Sequence, residues 1–225
     1  RGIGNSIAKK ALSDGHRISL GIRNKKELEG TVLDPNVSGH DKILHCNYEA
    51  IKPYTAKDWV DQTVERFGGF DTVINCAGVF SKTRFLFEDN EEKDIEYTWK
   101  VNVMGPWHLT KASWGELSKS KKGRVIFLVS LSGKRSKGNL ASYSMSKFAL
   151  MGLCQTIRNE GWNEGIRLTA ICPSWVNTDM ASNVKSIPKE NMTQPCDIAA
   201  LCSELLVLPN SCIPFELCLN CNLES

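Results

Sequence analysis

The chain has 225 residues, of which 41% are hydrophobic and 24% are charged, a composition typical of an ordinary globular protein. Lys and Arg number 28 against 25 Asp and Glu, and a net charge of +3 is too small to indicate a nucleic-acid or anionic-membrane partner. No apolar stretch approaches the ~20 residues that a membrane helix needs, so a small-molecule partner is the default expectation.

Helical and strand patterns alternate along the whole chain. The sequence predicts helices around 7–12, 55–67, 91–118, 141–162 and 197–208, and strands at 17–22, 42–46, 71–75, 124–130, 167–172 and near Phe215. Strands that alternate with helices form a parallel sheet, because each crossover returns over one face. We therefore predict an α/β fold with a doubly wound parallel sheet and helices on both faces, in one domain over residues 1–225.

Two glycines open the first predicted helix, in the segment Arg1-Gly2-Ile3-Gly4. Glycines let the backbone approach a pyrophosphate closely, and a helix N-terminus offers free N–H groups and a positive dipole end. A Gly-x-Gly pair more often forms an ordinary turn. This segment therefore indicates a dinucleotide site only if other residues of the sequence support it.

The residue about 20 positions after such glycines selects the cofactor, and here that position follows the first predicted strand. An acidic side chain there would bind a ribose 2′-hydroxyl, whereas Arg23 offers a planar fork that suits a 2′-phosphate, with Arg1 as a second cation. The sequence thus favours NADP over NAD, although Arg23 at the surface is also compatible with simple solvation.

Three residues of the central region form the most informative group. Tyr143 and Lys147 are four apart in a predicted helix and share one face, so the ammonium is expected to lower the pKa of the phenol and make it a general acid or base. Ser130 lies at the end of a strong predicted strand, 13 residues before Tyr143, where ligands of such sheets bind.

These segments together resemble the short-chain dehydrogenase/reductase family, over nearly the full length. Arg1 to Gly4 is similar to the end of its glycine motif, Asn75-Cys76-Ala77-Gly78 to its Asn-Asn-Ala-Gly motif, and Pro173 to Thr178 to its Pro-Gly segment. Asn102, Ser130, Tyr143 and Lys147 match its catalytic tetrad. The resemblance implies a Rossmann-like fold, an NADP(H)-dependent enzyme, and hydride transfer between nicotinamide and a carbonyl or alcohol.

The resemblance also implies a role for each matching residue. Tyr143 would exchange a proton with the substrate oxygen, Ser130 would hydrogen-bond that oxygen, Lys147 would bind the nicotinamide ribose, and Asn102 would hold a water through its carbonyl. The implied cofactor-binding residues are Arg1, Gly2, Ile3, Gly4, Arg23, Asn47, Asn75, Ala77, Gly78, Tyr143, Lys147, Pro173, Val176 and Thr178.

Pro106 gives the role of Asn102 an independent physical reason. Proline has no N–H, so in a helix it cannot bond the carbonyl four residues earlier, which here belongs to Asn102. We predict a kink between these two residues.

The chain departs from the family pattern in four places. The family's first strand and first glycine precede Arg1, and that strand lies in the middle of the sheet, so we expect residues upstream of Arg1. Asn47 stands where the family usually has an Asp, Cys76 replaces an Asn, and Ser174 replaces a Gly.

The substrate-binding region is expected after the fifth predicted strand. A short lid should fall between Thr178 and Gln194. The candidates for its apolar walls are Phe80, Phe87, Trp175 and Met180, although such residues lie more often in a core than in a pocket. The basic residues Lys134, Arg135 and Lys137 follow Ser130, and a solvated loop is favoured there over attraction of an acidic substrate or acyl carrier.

Nine scattered cysteines, without a dense disulfide framework, favour reduced thiols and a cytoplasmic location. Cys218 and Cys221 form a Cys-x-x-Cys, but side chains three apart in a strand point to opposite faces, so we predict no metal site.

The resemblance further implies a homodimer or homotetramer built on the helices around Trp107 and Phe148. Two other functions stay open: a catalytically silent NADP-binding regulator or scaffold with the same fold, and a Rossmann-like methyltransferase, which has no use for Tyr143 and Lys147.

Overall fold

The computed structural model describes residues 1–39 and 41–221. Its α-helices are α1 (Gly2–Ser13), α2 (Pro35–Ser38), α3 (Pro53–Phe67), α4 (Glu92–Trp99), α5 (Gly105–Ser120), α6 (Ala141–Gly161) and α7 (Pro195–Val207). Its strands are β1 (Ile18–Ile22), β2 (Ile43–Asn47), β3 (Thr72–Asn75), β4 (Arg124–Leu128), β5 (Arg167–Pro173) and β6 (Glu216–Leu219). None of the described helices is both long enough and apolar enough to span a bilayer.

The strands pair in parallel throughout. β1 pairs with β2, and β3, β4, β5 and β6 form a second sheet in that order. Over residues 1–39 and 41–221 the two sheets share no ladder. The predicted parallel α/β architecture is confirmed, but its strands form two sheets where we expected one.

Strand β4 shows why helices cover both faces of the larger sheet. Successive side chains of a strand point to opposite faces, and every residue of β4 is buried. Val125 and Phe127 pack with residues of α3, α5 and α6, whereas Ile126 and Leu128 pack with residues of α1 and α7. This two-sided burial is the physical basis of the doubly wound arrangement that we predicted.

The predicted elements match the observed ones to within a few residues, with two differences. Helix α2 was not predicted; it begins at Pro35, and the Asp34 carboxylate caps it by accepting the N–H of Asn36. Strand β4 ends at Leu128, two residues before the predicted end, so Ser130 lies just beyond the strand.

Candidate active site

Helix α6 carries Tyr143 and Lys147 on one buried face. The Lys147 Nζ lies 5.7 Å from the centroid of the Tyr143 ring and donates a hydrogen bond of 3.0 Å to the carbonyl of Leu128, at the end of β4. The spacing of four residues therefore places both side chains against the carboxyl end of the central strand.

Ser130 meets Tyr143 at the same place. Its Oγ accepts the backbone N–H of Ser132 at 3.1 Å, which fixes the side chain at the start of a short 3₁₀ turn, Leu131–Gly133. Its hydroxyl also hydrogen-bonds the Tyr143 phenol, an interaction that lowers the pKa of the phenol. A single hydroxyl thus joins the loop after β4 to helix α6.

The electrostatics of Tyr143 differ from the expectation. Burial raises the pKa of the phenol, and only the hydrogen bond from Ser130 opposes this. Burial also lowers the pKa of Lys147 to about 8. The expected lowering of the phenol pKa by Lys147 was wrong for the protein alone, because loss of water around both groups dominates and the ammonium is directed to the Leu128 carbonyl.

Asn102 is fully buried, with 0% of its surface exposed, and its amide makes three hydrogen bonds. The Oδ1 accepts the N–H of Val79 at 2.8 Å, and the Nδ2 donates to the Val79 carbonyl and to the Ser146 Oγ, both at 3.0 Å. Ser146 in turn donates to the carbonyl of Tyr143 at 2.7 Å. Asn102 therefore ties the segment after β3 to the face of α6 that carries Tyr143 and Lys147.

The kink expected before Pro106 is a π-helical segment, Lys100–Met104, which contains Asn102. The N–H of Gly105 bonds the carbonyl of Lys100, five residues earlier, as in a π-helix. Pro106 then occupies the first turn of α5, where a missing N–H costs little.

The glycine turn packs against two of the other predicted segments. Gly2 has a φ of +59°, and a methyl group built on it would lie 3.7 Å from the Cγ2 of Thr178. A methyl group on Gly4 would lie 3.3 Å from the Cβ of Cys76, which is tight. No side chain caps the N-terminus of α1, so its first-turn N–H groups stay available to an anion.

In the segment after β3, some residues support the fold and others border the cavity. Asn75 is buried and donates to the Thr110 Oγ1 on α5 at 3.2 Å, so it braces the fold. Ala77 is exposed. A methyl group on Gly78 would lie 3.5 Å from the Asn102 Oδ1 and 3.8 Å from the Lys147 Nζ, so this glycine borders the polar cluster.

A cavity of about 150 Å³ opens at the meeting point of these segments. The predicted site residues that line it are Ile3, Gly78, Ser130, Tyr143, Lys147, Pro173, Val176 and Thr178. Phe80 lies 4.9 Å from Tyr143 and 6.3 Å from Trp175, measured between ring centroids, and forms an apolar wall with Met180. Phe87 does not line the cavity and is 42% exposed, so its predicted place in the wall was wrong.

The predicted lid, residues 178–194, is anchored at its base. Val176 pairs with Thr193 in a parallel bridge, and the Asn177 Nδ2 donates to the Gln194 Oε1 at 2.9 Å. Met180 and Ala181 of the lid contribute to the cavity lining.

Seven predicted cofactor residues do not line the cavity: Arg1, Gly2, Gly4, Arg23, Asn47, Asn75 and Ala77. Arg23 follows β1, and Asn47 ends β2 at the position paired with Ile22, so the two side chains begin at the same edge of the small sheet. Arg1, Arg23 and Asn47 are all exposed.

Cys218 lies in β6 and is exposed, whereas Cys221 lies beyond the end of β6 and is buried, with its thiol 3.6 Å from the Ser174 Oγ. Among the described residues, Cys218 belongs to a group of three potential metal ligands, together with Cys172 and Glu216. The ammonium of Lys134 is 2.9 Å from a carboxylate oxygen of that Glu216. The absence of a metal site stays a prediction.

A larger cavity of about 550 Å³ lies beside the small sheet and is lined by Lys25, Asp34, His45 and Arg66, among others. It contains none of the predicted site residues, so its size alone does not make it the candidate site.

Sequence reasoning missed the supporting roles of Val79 and Ser146. Ser146 lies three residues after Tyr143 on the same helix, and this spacing was a usable signal. The bonds from Asn102 to the Val79 backbone had no signal in the sequence, because any residue type supplies those two groups.

A sequence model of the family described as short chain dehydrogenase matches residues 1–188. The chain is 35% identical to an agropine synthesis reductase of Rhizobium rhizogenes, covering 93% of this chain and 48% of that protein. It is 30% identical to oxidoreductase UcpA of Salmonella typhimurium, covering 91% of this chain and 83% of that protein. The chain thus spans about half the length of the agropine synthesis reductases that it matches.

Among solved structures, an alcohol dehydrogenase from the archaeon Thermococcus sibiricus, complexed with 5-hydroxy-NADP, is similar with a TM-score of 0.86. The identity is 26%, and the match covers 99% of this chain and 93% of that one.

Proposed function

The chain belongs to the short-chain dehydrogenase family, and we propose that it is an NADPH-dependent oxidoreductase that transfers a hydride between nicotinamide and a carbonyl or alcohol substrate. Reduction of a ketone or aldehyde is the favoured direction. The observation that carries the proposal is the convergence of Ser130, Tyr143 and Lys147 on one cavity at the carboxyl end of β4.

The residues present fit a dinucleotide. The N-terminus of α1 has no side-chain cap, and Gly2 and Gly4 leave room for backbone approach, so Arg1, Gly2, Ile3 and Gly4 suit the pyrophosphate. Tyr143 and Lys147 would hold the nicotinamide ribose in this proposal. The remaining proposed contacts are Asn47, Asn75, Ala77 and Gly78 at the adenosine side and Pro173, Val176 and Thr178 at the nicotinamide.

NADP is proposed over NAD because of Arg23. Its exposed guanidinium follows β1 and suits a 2′-phosphate, and no acidic residue occupies the segment Ile22-Arg23-Asn24. The Thermococcus sibiricus enzyme with a related fold was solved with an NADP derivative, which supports this choice.

Carbonyl reduction requires two things of this chain's side chains: a proton for the carbonyl oxygen, and stabilisation of the negative charge that develops on it. NADPH, when bound, supplies the hydride that the carbonyl carbon accepts. The Tyr143 phenol gives its proton to the carbonyl oxygen, which yields the alcohol and leaves a phenolate to be reprotonated. Ser130 donates a hydrogen bond to the same oxygen and stabilises its growing negative charge. The raised pKa of Tyr143 keeps the phenol protonated, as reduction requires.

Lys147 and Asn102 support that proton transfer. Below pH about 8 the Lys147 amine is charged, and its cation stabilises the phenolate that forms when Tyr143 gives up its proton. Asn102 is proposed to hold a water through its backbone carbonyl, because Pro106 has no N–H to bond that carbonyl in an α-helix.

The proposal is tested by NADPH oxidation with a broad panel of ketones and aldehydes, using the purified full-length protein. We expect turnover with some panel members, and a loss of about 10²- to 10⁴-fold in kcat for Tyr143→Phe with cofactor affinity retained. Tyr54→Phe is the matched control, because Tyr54 is 62% exposed and lies outside the site.

The same variant separates an enzyme from a catalytically silent regulator. A protein that binds NADPH but oxidises it with no panel member, with Tyr143→Phe no different from the parent, would contradict the enzymatic proposal.

We also propose a homodimer or homotetramer. Trp107 on α5 and Phe148 on α6 are 49% and 46% exposed, large apolar side chains that a second copy would cover. Light scattering should give a mass of two or four chains, and a single-chain mass would contradict this.

A single domain over residues 1–225 and a reducing, cytoplasmic compartment complete the proposal. None of the nine cysteines, all of which lie in the described part of the chain, forms a disulfide, which agrees with a reducing compartment.

A further inference from the structure

Two cysteines face each other across the ladder between β5 and β6. Cys172 on β5 pairs directly with Cys218 on β6, and directly paired residues of a parallel ladder point to the same face of the sheet. Their sulfur atoms lie within 4.8 Å of one another, and the Cys172 thiol hydrogen-bonds that of Cys218. No local pattern predicts this pair, because the two residues are far apart in the chain.

The pair connects the protein interior to the surface. Cys218 is exposed, whereas Cys172 is 0% exposed and its Sγ lies 3.9 Å from the Met151 Sδ on α6. In the described part of the chain, β6 is an edge strand of the larger sheet. An oxidant in solution therefore reaches Cys218 directly and Cys172 only through it.

The ladder sets a separation that suits a disulfide. Neighbouring strands lie about 4.8 Å apart, and the Cα atoms of a disulfide are usually about 4.4 to 6.8 Å apart. Directly paired residues fall within this range, so rotation of the two side chains and a small shift of the edge strand bring the sulfur atoms to bonding distance.

A carboxylate and an ammonium lie beside the exposed thiol. The Cys218 Sγ donates a hydrogen bond of 3.1 Å to the Glu216 Oε1, and the Oε2 of the same carboxylate is 2.9 Å from the Lys134 ammonium. Lys134 belongs to the loop after β4. Its neighbours Arg135 and Lys137 line the cavity and are exposed, which agrees with the solvated loop that the sequence favours. The Glu216 carboxylate is thus placed to accept the proton of the Cys218 thiol.

The buried member of the pair contacts the candidate active site. The backbone N–H of Ser130 bonds the Cys172 sulfur, an interaction that lowers the pKa of the thiol. The hydroxyl of the same serine bonds the Tyr143 phenol. The position of the Cys172 sulfur therefore bears on the position of Ser130.

We propose that a peroxide oxidises Cys172 and Cys218 to a disulfide, and that this bond slows carbonyl reduction because it draws the Cys172 sulfur away from Ser130. The disulfide itself is independent of the proposed function, whereas its effect on the rate rests on that function. The bond is reversible, since a reducing thiol restores the two cysteines.

The oxidation takes two steps and consumes one hydrogen peroxide. The Cys218 sulfur attacks a peroxide oxygen, so an S–O bond forms, the O–O bond breaks, and the thiol proton leaves in a molecule of water. The Cys172 sulfur then attacks the sulfenic sulfur; the S–S bond forms, the S–O bond breaks, and a second water carries away the other proton. The two thiols lose two electrons, which the peroxide gains.

The pKa values of both thiols set the rate of this oxidation. Burial raises the pKa of Cys172 to about 12, and burial together with the Glu216 carboxylate raises the pKa of Cys218. Both groups are therefore protonated at neutral pH, and only a thiolate attacks. The disulfide should form slowly at pH 7 and faster as the pH is raised to 9, so it marks sustained exposure to peroxide.

The test uses purified full-length protein that has been reduced and freed of the reducing agent. After treatment with hydrogen peroxide, alkylation in denaturant and proteolysis, mass spectrometry should find the Cys172 peptide joined to the Cys218 peptide, with the loss of two hydrogens. Dithiothreitol should separate them. In the same samples kcat should fall by about tenfold or more on oxidation, with the KM for NADPH within about twofold, and should recover with dithiothreitol.

Cys218→Ser removes the exposed member of the pair. It should abolish the cross-link and make kcat insensitive to peroxide, while kcat before oxidation stays within about twofold of the parent. Cys212→Ser is the matched control, because Cys212 is also exposed but lies outside β6. That variant should cross-link and lose kcat as the parent does.

Absence of the cross-link in the parent under excess peroxide would overturn the inference, and so would equal cross-linking in Cys218→Ser. A parent protein that is fully cross-linked but keeps its kcat would overturn the effect on Ser130. A protein that forms the cross-link but reduces no carbonyl supports the disulfide and contradicts the proposed function.

Discussion

At the catalytic end of the site, the polar side chains have partners inside the protein. Asn102 bonds Val79 and Ser146, Ser130 bonds Tyr143, and Lys147 bonds the Leu128 carbonyl. At the proposed adenosine end, the side chains of Arg1, Arg23 and Asn47 are exposed. The polar groups of the proposed catalytic end are held by the fold itself, whereas those of the proposed adenosine end lie at the surface.

This difference has an energetic consequence. Substitutions at the catalytic end should change the free energy of unfolding, because they break buried interactions. Substitutions at the adenosine end should change cofactor affinity and leave that free energy nearly constant, because surface side chains contribute little to it. The predictions below test this separation, beginning with the largest effect.

Lys147 should make stability depend on pH. Its pKa falls from the ordinary 10.5 to about 8 in the folded protein, so between these pH values the unfolded state binds more protons than the folded state. The free energy of unfolding then rises with pH across this window, by up to about 3 kcal/mol, and is flat below pH 8.

Lys147→Met removes the titrating amine, so the variant serves as the reference for the parent protein at each pH. Urea denaturation from pH 7 to pH 10.5 should show the parent gaining stability relative to the variant as the pH rises. Subtracting the free energy of unfolding of the variant from that of the parent cancels the contribution of cysteines and tyrosines that titrate in the same pH range. The remaining pH dependence belongs to Lys147. A difference independent of pH would contradict the buried, neutralisable amine.

Asn102→Ala should lower the free energy of unfolding by about 2 kcal/mol, because it removes a fully buried amide and leaves the partly buried Val79 N–H without its acceptor. Asn90→Ala is the control, since Asn90 is exposed, and it should change stability by less than about 0.5 kcal/mol. If the two variants are equally stable, the amide of Asn102 does not hold the site together.

Arg23→Ala should weaken NADPH binding about tenfold while NADH binding changes little, because only NADPH carries the 2′-phosphate. The change corresponds to about 1.4 kcal/mol of binding and less than about 0.5 kcal/mol of folding stability. Calorimetric titration measures the binding change and urea denaturation the folding change.

Arg17→Ala provides a cation control at the amino end of the same strand, where Arg17 stacks 5.3 Å from the Phe67 ring centroid. Its NADPH affinity should stay at the parent value. Equal losses of NADPH and NADH affinity in Arg23→Ala would remove the basis for preferring NADP.

The sequence predicted the difference between the buried, hydrogen-bonded end of the site and its exposed end only in part. The four-residue spacing of Tyr143 and Lys147, and the strand before Ser130, were enough to bring the three side chains together, because helix and strand geometry are local. The direction of the Tyr143 pKa shift depends on burial by distant segments such as Phe80, which no local pattern encodes.

The loop after Ser130 is a second case in which a local sequence pattern does not predict the direction of a side chain. Lys134, Arg135 and Lys137 are equivalent in sequence as basic residues of a loop, and only the packing of that loop on α6 and β6 separates their directions. The π-helical turn at Asn102 was anticipated as a kink, because the missing N–H of Pro106 is a local property, although its form was not.

The central claim is that this site moves a hydride onto a carbonyl carbon while Tyr143 supplies the proton. The most direct measurement uses NADPH deuterated at nicotinamide C4 with an accepted carbonyl, and mass spectrometry of the alcohol. The account predicts one deuterium on the carbinol carbon with the parent protein, and almost none over the same time with Tyr143→Phe. Consumption of NADPH without deuterium in the alcohol, or equal deuterium transfer by both proteins, would contradict it.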